Sequence, residues 1–368
     1  MCLLLLALLA AMPGCSRLRH LHDQQHEMVY VWTRQMFLRD RVAAVSNHVA
    51  EVTNGQPLEV LEHGRRFLRV KTAKGEIGWI PDRAVIDAKT YSAFAELAAR
   101  HKDDPVVADG TVRDDIYLHA RPGRETDRFY LLAGDTRVKM LVRASVPREA
   151  GKVPDHVHAA AKPGTRAAAE PAPEHAPEPV AMEDWWLVRD AQNRVGWALG
   201  SRVDVNVPDD VAQYAEGQRM VGAYVIARVH DDEATAADHE VPEYVTALGP
   251  PKSGLPFDFD EIRVFTWSLK KHRYETAFRI HPIQGFLPVL ITSEPALKGT
   301  EPVFSFRISS SPDVAINPDT GITSPVQPRT ITYALRDTAV RRVGPDMAPI
   351  PIVRDKDEKA KTPPKKHR

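Results

Sequence analysis

The chain has 368 residues, 43% of them hydrophobic and 27% charged, and its 49 basic side chains balance 49 acidic ones. That length suits two or three ordinary domains with several buried cores, and the zero net charge argues against a nucleic-acid partner, which would call for a basic face. Only Cys2 and Cys15 are cysteines, so a disulfide framework, a thiolate metal site and a cysteine nucleophile are excluded from the body of the chain.

The first twelve residues are almost wholly apolar, from Leu3 through Ala11. The run is too short to span a bilayer, which takes about 20 residues. A short apolar core followed by small residues has the pattern of an export signal. Its end, Pro13-Gly14-Cys15, resembles a bacterial lipobox. That resemblance implies lipidation of Cys15 and a chain anchored to a membrane without crossing it. It would place the protein in the bacterial cell envelope, facing the periplasm or the exterior. A plainly cleaved signal and a buried N-terminal helix are the competing readings. His20, His22 and His26 follow. They have no nearby carboxylate and cysteine set, so a solvated tether is preferred to a metal site, and no cofactor is expected.

Strand signals are dense over residues 28–87. Met28 to Trp32 alternates and is rich in β-formers, Ala43 to Val52 continues the pattern, and Asn54-Gly55 marks a tight turn. Pro57 to Leu61, Arg66 to Lys71 and Ile77 to Ile80 complete five short strands. Such a series predicts a small barrel or sandwich. The ordered set Gly55-Gln56-Pro57-Leu58-Glu59-Val60-Leu61, Phe67-Leu68-Arg69-Val70 and Gly75-Glu76-Ile77-Gly78-Trp79-Ile80 resembles the bacterial SH3 domain. The resemblance implies an SH3-like β-barrel and, for many members, targeting to the cell wall. Residues 88–108 read as a helical linker, with Tyr91, Phe94, Leu97 and Ala98 on one face.

A second copy is expected over residues 109–205. Adding 118 to residues 67–85 aligns Phe67 with Trp185, Val70 with Val188, Gly78 with Gly196 and Trp79 with Trp197, without a gap. Gly134 to Leu141 answers Gly55 to Leu61, and Tyr117 to Gly123 resembles the family's opening stretch. This duplication is the strongest organisational signal in the chain. Between residues 145 and 184 the pattern breaks into Pro- and Ala-rich sequence that cannot bury a core, read as a disordered insertion in a surface loop. Pro208 to Gly217 has the termini of a helix.

Residues 219–345 alternate strand patterns with Pro and Gly clusters, predicting a third, mostly β domain, and residues 346–368 read as a disordered tail. The fold class is therefore mainly β: two small SH3-like barrels, a C-terminal β domain and short linking helices. Gly78, Trp79, Gly196 and Trp197 are taken as structural repeat residues, the tryptophans in the core. Tyr30, Trp32, Tyr117 and Trp186 are the candidates for an exposed ligand-binding surface. Arg341, Arg342, Lys365 and Lys366 are read as a solvated face or tail. No catalytic set is found. Asp258, Asp260 and Glu261 lie close together but read as turn residues. The expectation is a non-catalytic, membrane-tethered envelope protein whose modules bind peptide or cell-wall polymer such as peptidoglycan. The alternative is a structural or adaptor lipoprotein that contacts other envelope proteins.

Overall fold

The computed structural model describes residues 27–148, 180–235, 237–295, 300–311 and 313–351. Cys15, His20, His22, His26, Lys365, Lys366 and most of the Pro/Ala-rich segment lie outside the described residues. The protein is mainly β, built of antiparallel sheets.

The first sheet contains β1 (Met28–Val31), β2 (Gln35–Arg39), β3 (His48–Thr53), β4 (Pro57–His63), β5 (Phe67–Lys71), β6 (Ile77–Pro81) and β7 (Val85–Asp87). Strand β2 lies outside the expected series, although Met36 to Leu38 carries the apolar signal. The expected strand at Ala43 to Val45 is instead a bend, with Val45 86% exposed. Helix α1 (Ala88–Arg100) starts where the Asp87 carboxylate accepts the Thr90 N–H at 2.8 Å. Its Phe94 and Leu97 are buried.

The second sheet contains β8 (Ala108–Val112), β9 (Ile116–His119), β10 (Arg128–Leu132), β11 (Arg137–Pro147), β12 (Met182–Arg189), β13 (Val195–Leu199) and β14 (Val203–Val205). The strand orders are β3-β2-β6-β5-β4-β1-β7 and β10-β9-β13-β12-β11-β8-β14, the same order with every label advanced by seven. Registers repeat as well: Arg39 pairs with Trp79, and His119 pairs with Trp197. The turn before β4 has Gly55 at φ +86°, and its counterpart before β11 is Asp135 at φ +63°, not Gly134. Both donate a backbone N–H back across the turn, to Val31 and Val112. Asp is one of the few residues that tolerates this left-handed conformation.

Strands β11 and β12 remain paired out to Pro147 and Met182. The interruption of the second copy is therefore narrower than residues 145–184.

The glycine of each Gly-Trp pair is explained by close approach. A Cβ on Gly78 would sit 2.8 Å from the Leu38 Cβ, and one on Gly196 would sit 2.6 Å from the Leu118 Cβ. Both leucines are fully buried. Gly78→Ala and Gly196→Ala are each expected to cost about 1–3 kcal/mol through overpacking. Urea unfolding checks this, and a loss too small to measure at both sites would refute the close-packing explanation.

Helix α2 (Asp209–Ala212) is a single turn extended by a 3-10 turn, shorter than expected. Beyond it, β15 (Arg219–His230), β16 (Glu240–Gly249), β17 (Glu261–Ser268) and β18 (Arg273–Ile280) form one four-stranded meander. Next come β19 (Gly285–Pro295), β20 (Thr300–Ser309), β21 (Val314–Ile316), β22 (Thr323–Pro325), β23 (Pro328–Arg336) and β24 (Ala339–Val343). Of these, β19-β20-β23-β24 form the second meander and β21-β22 a small ribbon.

The two meanders share a core. Val245, Ile262 and Val264 from one pack with Phe304, Phe306 and Ile331 from the other. That core continues into the second sheet through Val188, Trp186 and Phe129, whereas the first sheet keeps a separate core around Val31, Leu38, Leu58 and Ile80. Residues 346–349 are held against β23: the Asp346 carboxylate and the Ala348 and Pro349 carbonyls accept from Arg329. The expected tail thus begins later than residue 346.

Candidate functional site

Three of the four expected ligand residues meet in a seam between the first and second sheets. Tyr30 stacks on Tyr91 with ring centroids 3.7 Å apart, and Phe129 meets both edge-on. Trp32 lies 5.4 Å from Tyr117, and the Arg128 guanidinium sits over both rings at 5.5 and 5.6 Å. Asn54 completes the seam. Its Nδ2 donates to the Trp32 and Phe129 carbonyls at 2.7 and 2.9 Å, and its Oδ1 accepts the Leu131 N–H at 3.0 Å. Tyr30, Trp32 and Tyr117 are half-buried and joined to this contact, and Tyr117 also lines a cleft with His119, Arg128 and Arg202.

Trp186 is not an exposed aromatic. It is 4% exposed, because it occupies the place of buried Leu68 in the repeat. The larger indole is accommodated by a smaller neighbour. Ala198, paired directly with Trp186, stands where the first copy has Ile80; Gly110, where it has Val29, is instead filled by Met140 and Val203. This exchange keeps core volume roughly constant.

The two copies differ most on the other face of the same strands. In β12 and β13 burial is nearly continuous, and Trp185 and Trp197 are both 2% exposed. Leu97 and Ala98 of α1 and Ile322, which precedes β22 and bridges to Ala144, pack against these tryptophans' cluster. In β5 and β6 burial alternates instead, as in a sheet with one face toward solvent. Trp79 was expected in the core, yet it is half-buried and lines a groove of about 600 Å³ with Phe67, Gly64, Val42, Arg41, Arg65 and Arg66. Gly64 lets the β4–β5 tip close over the indole: a Cβ there would lie 3.2 Å from Trp79 Cζ3 and 3.0 Å from the Phe67 carbonyl oxygen. Among the described residues neither Arg65 nor Arg66 has an ion-pair partner, while Arg41 is paired with Asp40 at 3.2 Å. An aromatic floor with guanidinium groups at its rim suits a ligand that combines apolar rings or carbons with carboxylates.

In the second copy, positions 65 and 66 are taken by Glu183 and Asp184. Glu183 is bound by Arg124 at 2.7 Å. Asp184 is buried and accepts from Arg143 Nη1 at 3.1 Å, Ser145 Oγ at 3.0 Å and the Gly254 N–H at 3.1 Å, with Arg219 at 3.4 Å. Arg143 also donates to Asp258 at 2.8 Å and to the Leu255 and Phe257 carbonyls at 2.8 and 2.6 Å. Burial opposes the charge on Arg143, but Asp258 and Asp184 outweigh it and raise its pKa above the ordinary value. The loop at residues 250–257 is thereby clamped onto the second copy.

The neighbouring carboxylates are occupied as well. Asp258 accepts the Leu287 N–H at 2.9 Å in addition to Arg143. Glu261 lies inside β17, not in a turn. It is fully buried and paired with Arg263 and Arg279. Burial raises the pKa of Asp260, against the opposing charge of His281 at 3.4 Å. Arg342 is paired with Asp346 at 3.3 Å, a departure from the expected solvated face, whereas Arg341 is exposed. Among the described residues no group of three or more His, Cys, Asp or Glu is placed to hold a metal, and no helix is long and apolar enough to cross a membrane.

A polar cluster that sequence reasoning missed joins the ends of two hairpins. Asp231 Oδ2 accepts from Trp267 Nε1 at 2.7 Å and from His272 Nδ1 at 2.8 Å, and His272 Nε2 lies 3.2 Å from Glu233. The hydrogen bonds from Trp267 and then His272 lower the Asp231 pKa to about 2, and the hydrogen bond to Asp231 raises that of His272. The His272 contribution to stability is therefore full below its ordinary pKa near 6.5 and lost as pH rises through its raised folded value. The Asp231 contribution is present above its ordinary value near 3.9 and lost as pH falls through about 2. The Trp267 indole N–H should accordingly exchange with solvent faster at pH 8.5 than at pH 5.5, after correction for intrinsic rates, in an NMR titration. A flat profile would show that the pair does not hold the hairpins.

No protein-family model matches the chain, and no curated protein matches it. Among solved structures, NlpC2 from Trichomonas vaginalis is similar at 7% identity and a TM-score of 0.15, with 58% of this chain covering 62% of that one. NlpC1 from the same organism is similar at 6% identity and a TM-score of 0.15, with 68% of this chain covering 87% of that one. The chain thus spans less than two thirds of the length of NlpC2.

Proposed function

We propose that this is a non-catalytic envelope protein, tethered to a membrane through Cys15, whose duplicated SH3-like barrels precede a C-terminal β domain, and that its first barrel binds peptide or cell-wall polymer. One observation carries the reading. Of two copies with the same strand order, the second has its Trp185–Trp197 face covered by the rest of the chain, and the first leaves the Phe67–Trp79 face open beneath three arginines. A peptide with apolar side chains and free carboxylates, of the kind that crosslinks cell walls, has matching chemistry. The engagement of Asp258 and Glu261 in ion pairs supports a non-catalytic role for those carboxylates.

The test is co-sedimentation of the full chain with purified peptidoglycan. The wild type should pellet with the wall material, and Trp79→Ala should remain in the supernatant, while Tyr117→Ala, in the seam, should retain binding if it folds. Equal pelleting of wild type and Trp79→Ala would refute the groove. Mass spectrometry of the mature N-terminus should find a lipid on Cys15; an unmodified chain beginning at Met1 would remove the tether. The adaptor reading is favoured by the second copy, which uses the equivalent face for protein–protein packing within the chain. A stable protein co-purifying with the full chain, with no sedimentation, would select it.

A further inference from the structure

We propose that the Phe67–Trp79 groove is a docking site for a segment of this same chain, Glu170 to Pro179. The inference rests on the reading of the groove as a peptide site and names its occupant.

The first support is the precedent in the second copy. There the same end of β12, on the face opposite Trp185, receives the Pro-rich stretch Pro250-Pro251-Lys252-Ser253-Gly254-Leu255-Pro256-Phe257, while Leu97 and Ile322 cover Trp185 and Trp197. Gly254 donates its N–H to Asp184 and sits so close to Met182, the counterpart of Gly64, that a Cβ would lie 2.6 Å from the Met182 Cβ. Leu255 and Phe257 accept from Arg143 through their carbonyls. The second copy therefore already holds a Pro-containing stretch of its own chain beside the counterparts of Gly64 and Arg66.

The second support is charge. The docked stretch carries Lys252 and contains no acid before Asp258, and its Gly254 N–H rests on the acid Asp184. In the first copy that position is Arg66, with Arg65 and Arg41 beside it. The complement of the first groove is then a Pro-containing segment with the opposite charge. Glu170-Pro171-Ala172-Pro173-Glu174-His175-Ala176-Pro177-Glu178-Pro179 has three glutamates, four prolines and no lysine or arginine. Proline rings suit an aromatic floor because their restricted φ lowers the entropy lost on binding, and each carboxylate suits a guanidinium. The segment belongs to the connection between β11 and β12, the counterpart of the β4–β5 tip that supplies Gly64, Arg65 and Arg66.

The test uses a fluorescently labelled peptide spanning residues 168–180 and two proteins: the full chain, and a chain in which residues 149–179 are replaced by a short Gly-Ser turn. A tethered segment competes at an effective concentration of order millimolar. The shortened chain should therefore bind the peptide at least about tenfold more tightly than the full chain. Trp79→Ala, and separately Arg65→Glu with Arg66→Glu, should each weaken binding to the shortened chain about tenfold or more, and added salt should weaken it too. Circular dichroism and melting confirm that each variant is folded. No binding to the shortened chain, binding indifferent to these substitutions, or equal binding to full and shortened chains would each overturn the proposal. Peptidoglycan sedimentation of the same proteins separates the two ideas. Trp79-dependent pelleting without peptide binding sinks the self-docking alone; loss of both sinks the groove itself.

Discussion

Arg143→Met is expected to destabilise the cooperative unit formed by the second sheet and the two meanders by about 3–5 kcal/mol. The guanidinium is buried and donates to four acceptors: the carboxylates of Asp184 and Asp258 and the carbonyls of Leu255 and Phe257. Met roughly fills the volume of the side-chain stem but satisfies none of them. Two carboxylates then lose their shared cation, and two carbonyls lose a donor, each at the cost of desolvation already incurred on folding. Arg219, at 3.4 Å from Asp184 and partly exposed, compensates only in part. Urea unfolding followed by tryptophan fluorescence checks the result, since Trp185, Trp186 and Trp197 all belong to this unit. A change below about 1 kcal/mol would mean that water reaches Asp184 and Asp258 and that the loop is not clamped by this residue.

The second large effect is an asymmetry between equivalent residues. Trp197→Ala should cost about 3–5 kcal/mol, the usual loss for emptying a buried aromatic site. Trp79→Ala should cost only about 1–2 kcal/mol, because the indole is half in solvent and its removal leaves an open groove instead of a cavity. The same substitution at the same place in the repeat thus separates stability from binding: the Trp197 variant loses fold, and the Trp79 variant loses ligand. Paired unfolding curves and sedimentation assays measure both. Equal destabilisation by the two substitutions would mean that the Trp79 face is covered in solution, as the docking of residues 170–179 would itself achieve. Repeating the pair in the chain with the shortened β11–β12 connection distinguishes that case, since the asymmetry should then reappear.

Several elements were legible before any coordinates. The alternation in Val29-Tyr30-Val31, the Asn54-Gly55 turn and the matched Phe67–Val85 and Trp185–Val203 stretches are local features, and period-two patterns report which strands exist. After residue 218 the longer strands carry the same signal, and the short or polar ones carry less of it: β21 and β22 have three residues each, and β24 carries Arg341 and Arg342. Trp186 departs from its expected exposure for a different reason. Its place in the repeat, opposite Leu68, already assigns it to the inner face; adjacent tryptophans on a strand point to opposite sides, and only one of them was needed on the outer face.

The sequence alone determined that two copies of one strand pattern exist, that Gly78-Trp79 and Gly196-Trp197 correspond, and that no cysteine chemistry operates after residue 15. These follow from spacing and composition, which are written in one dimension. Which tryptophan is free was decided only in three dimensions. Trp197 is buried because Leu97 from α1 and Ile322, 125 residues further on, come to lie in its cluster, and Trp79 is open because no described element does the same. Exposure depends on the partner that arrives from elsewhere in the chain, and that partner leaves no mark in the local pattern of the strand it covers.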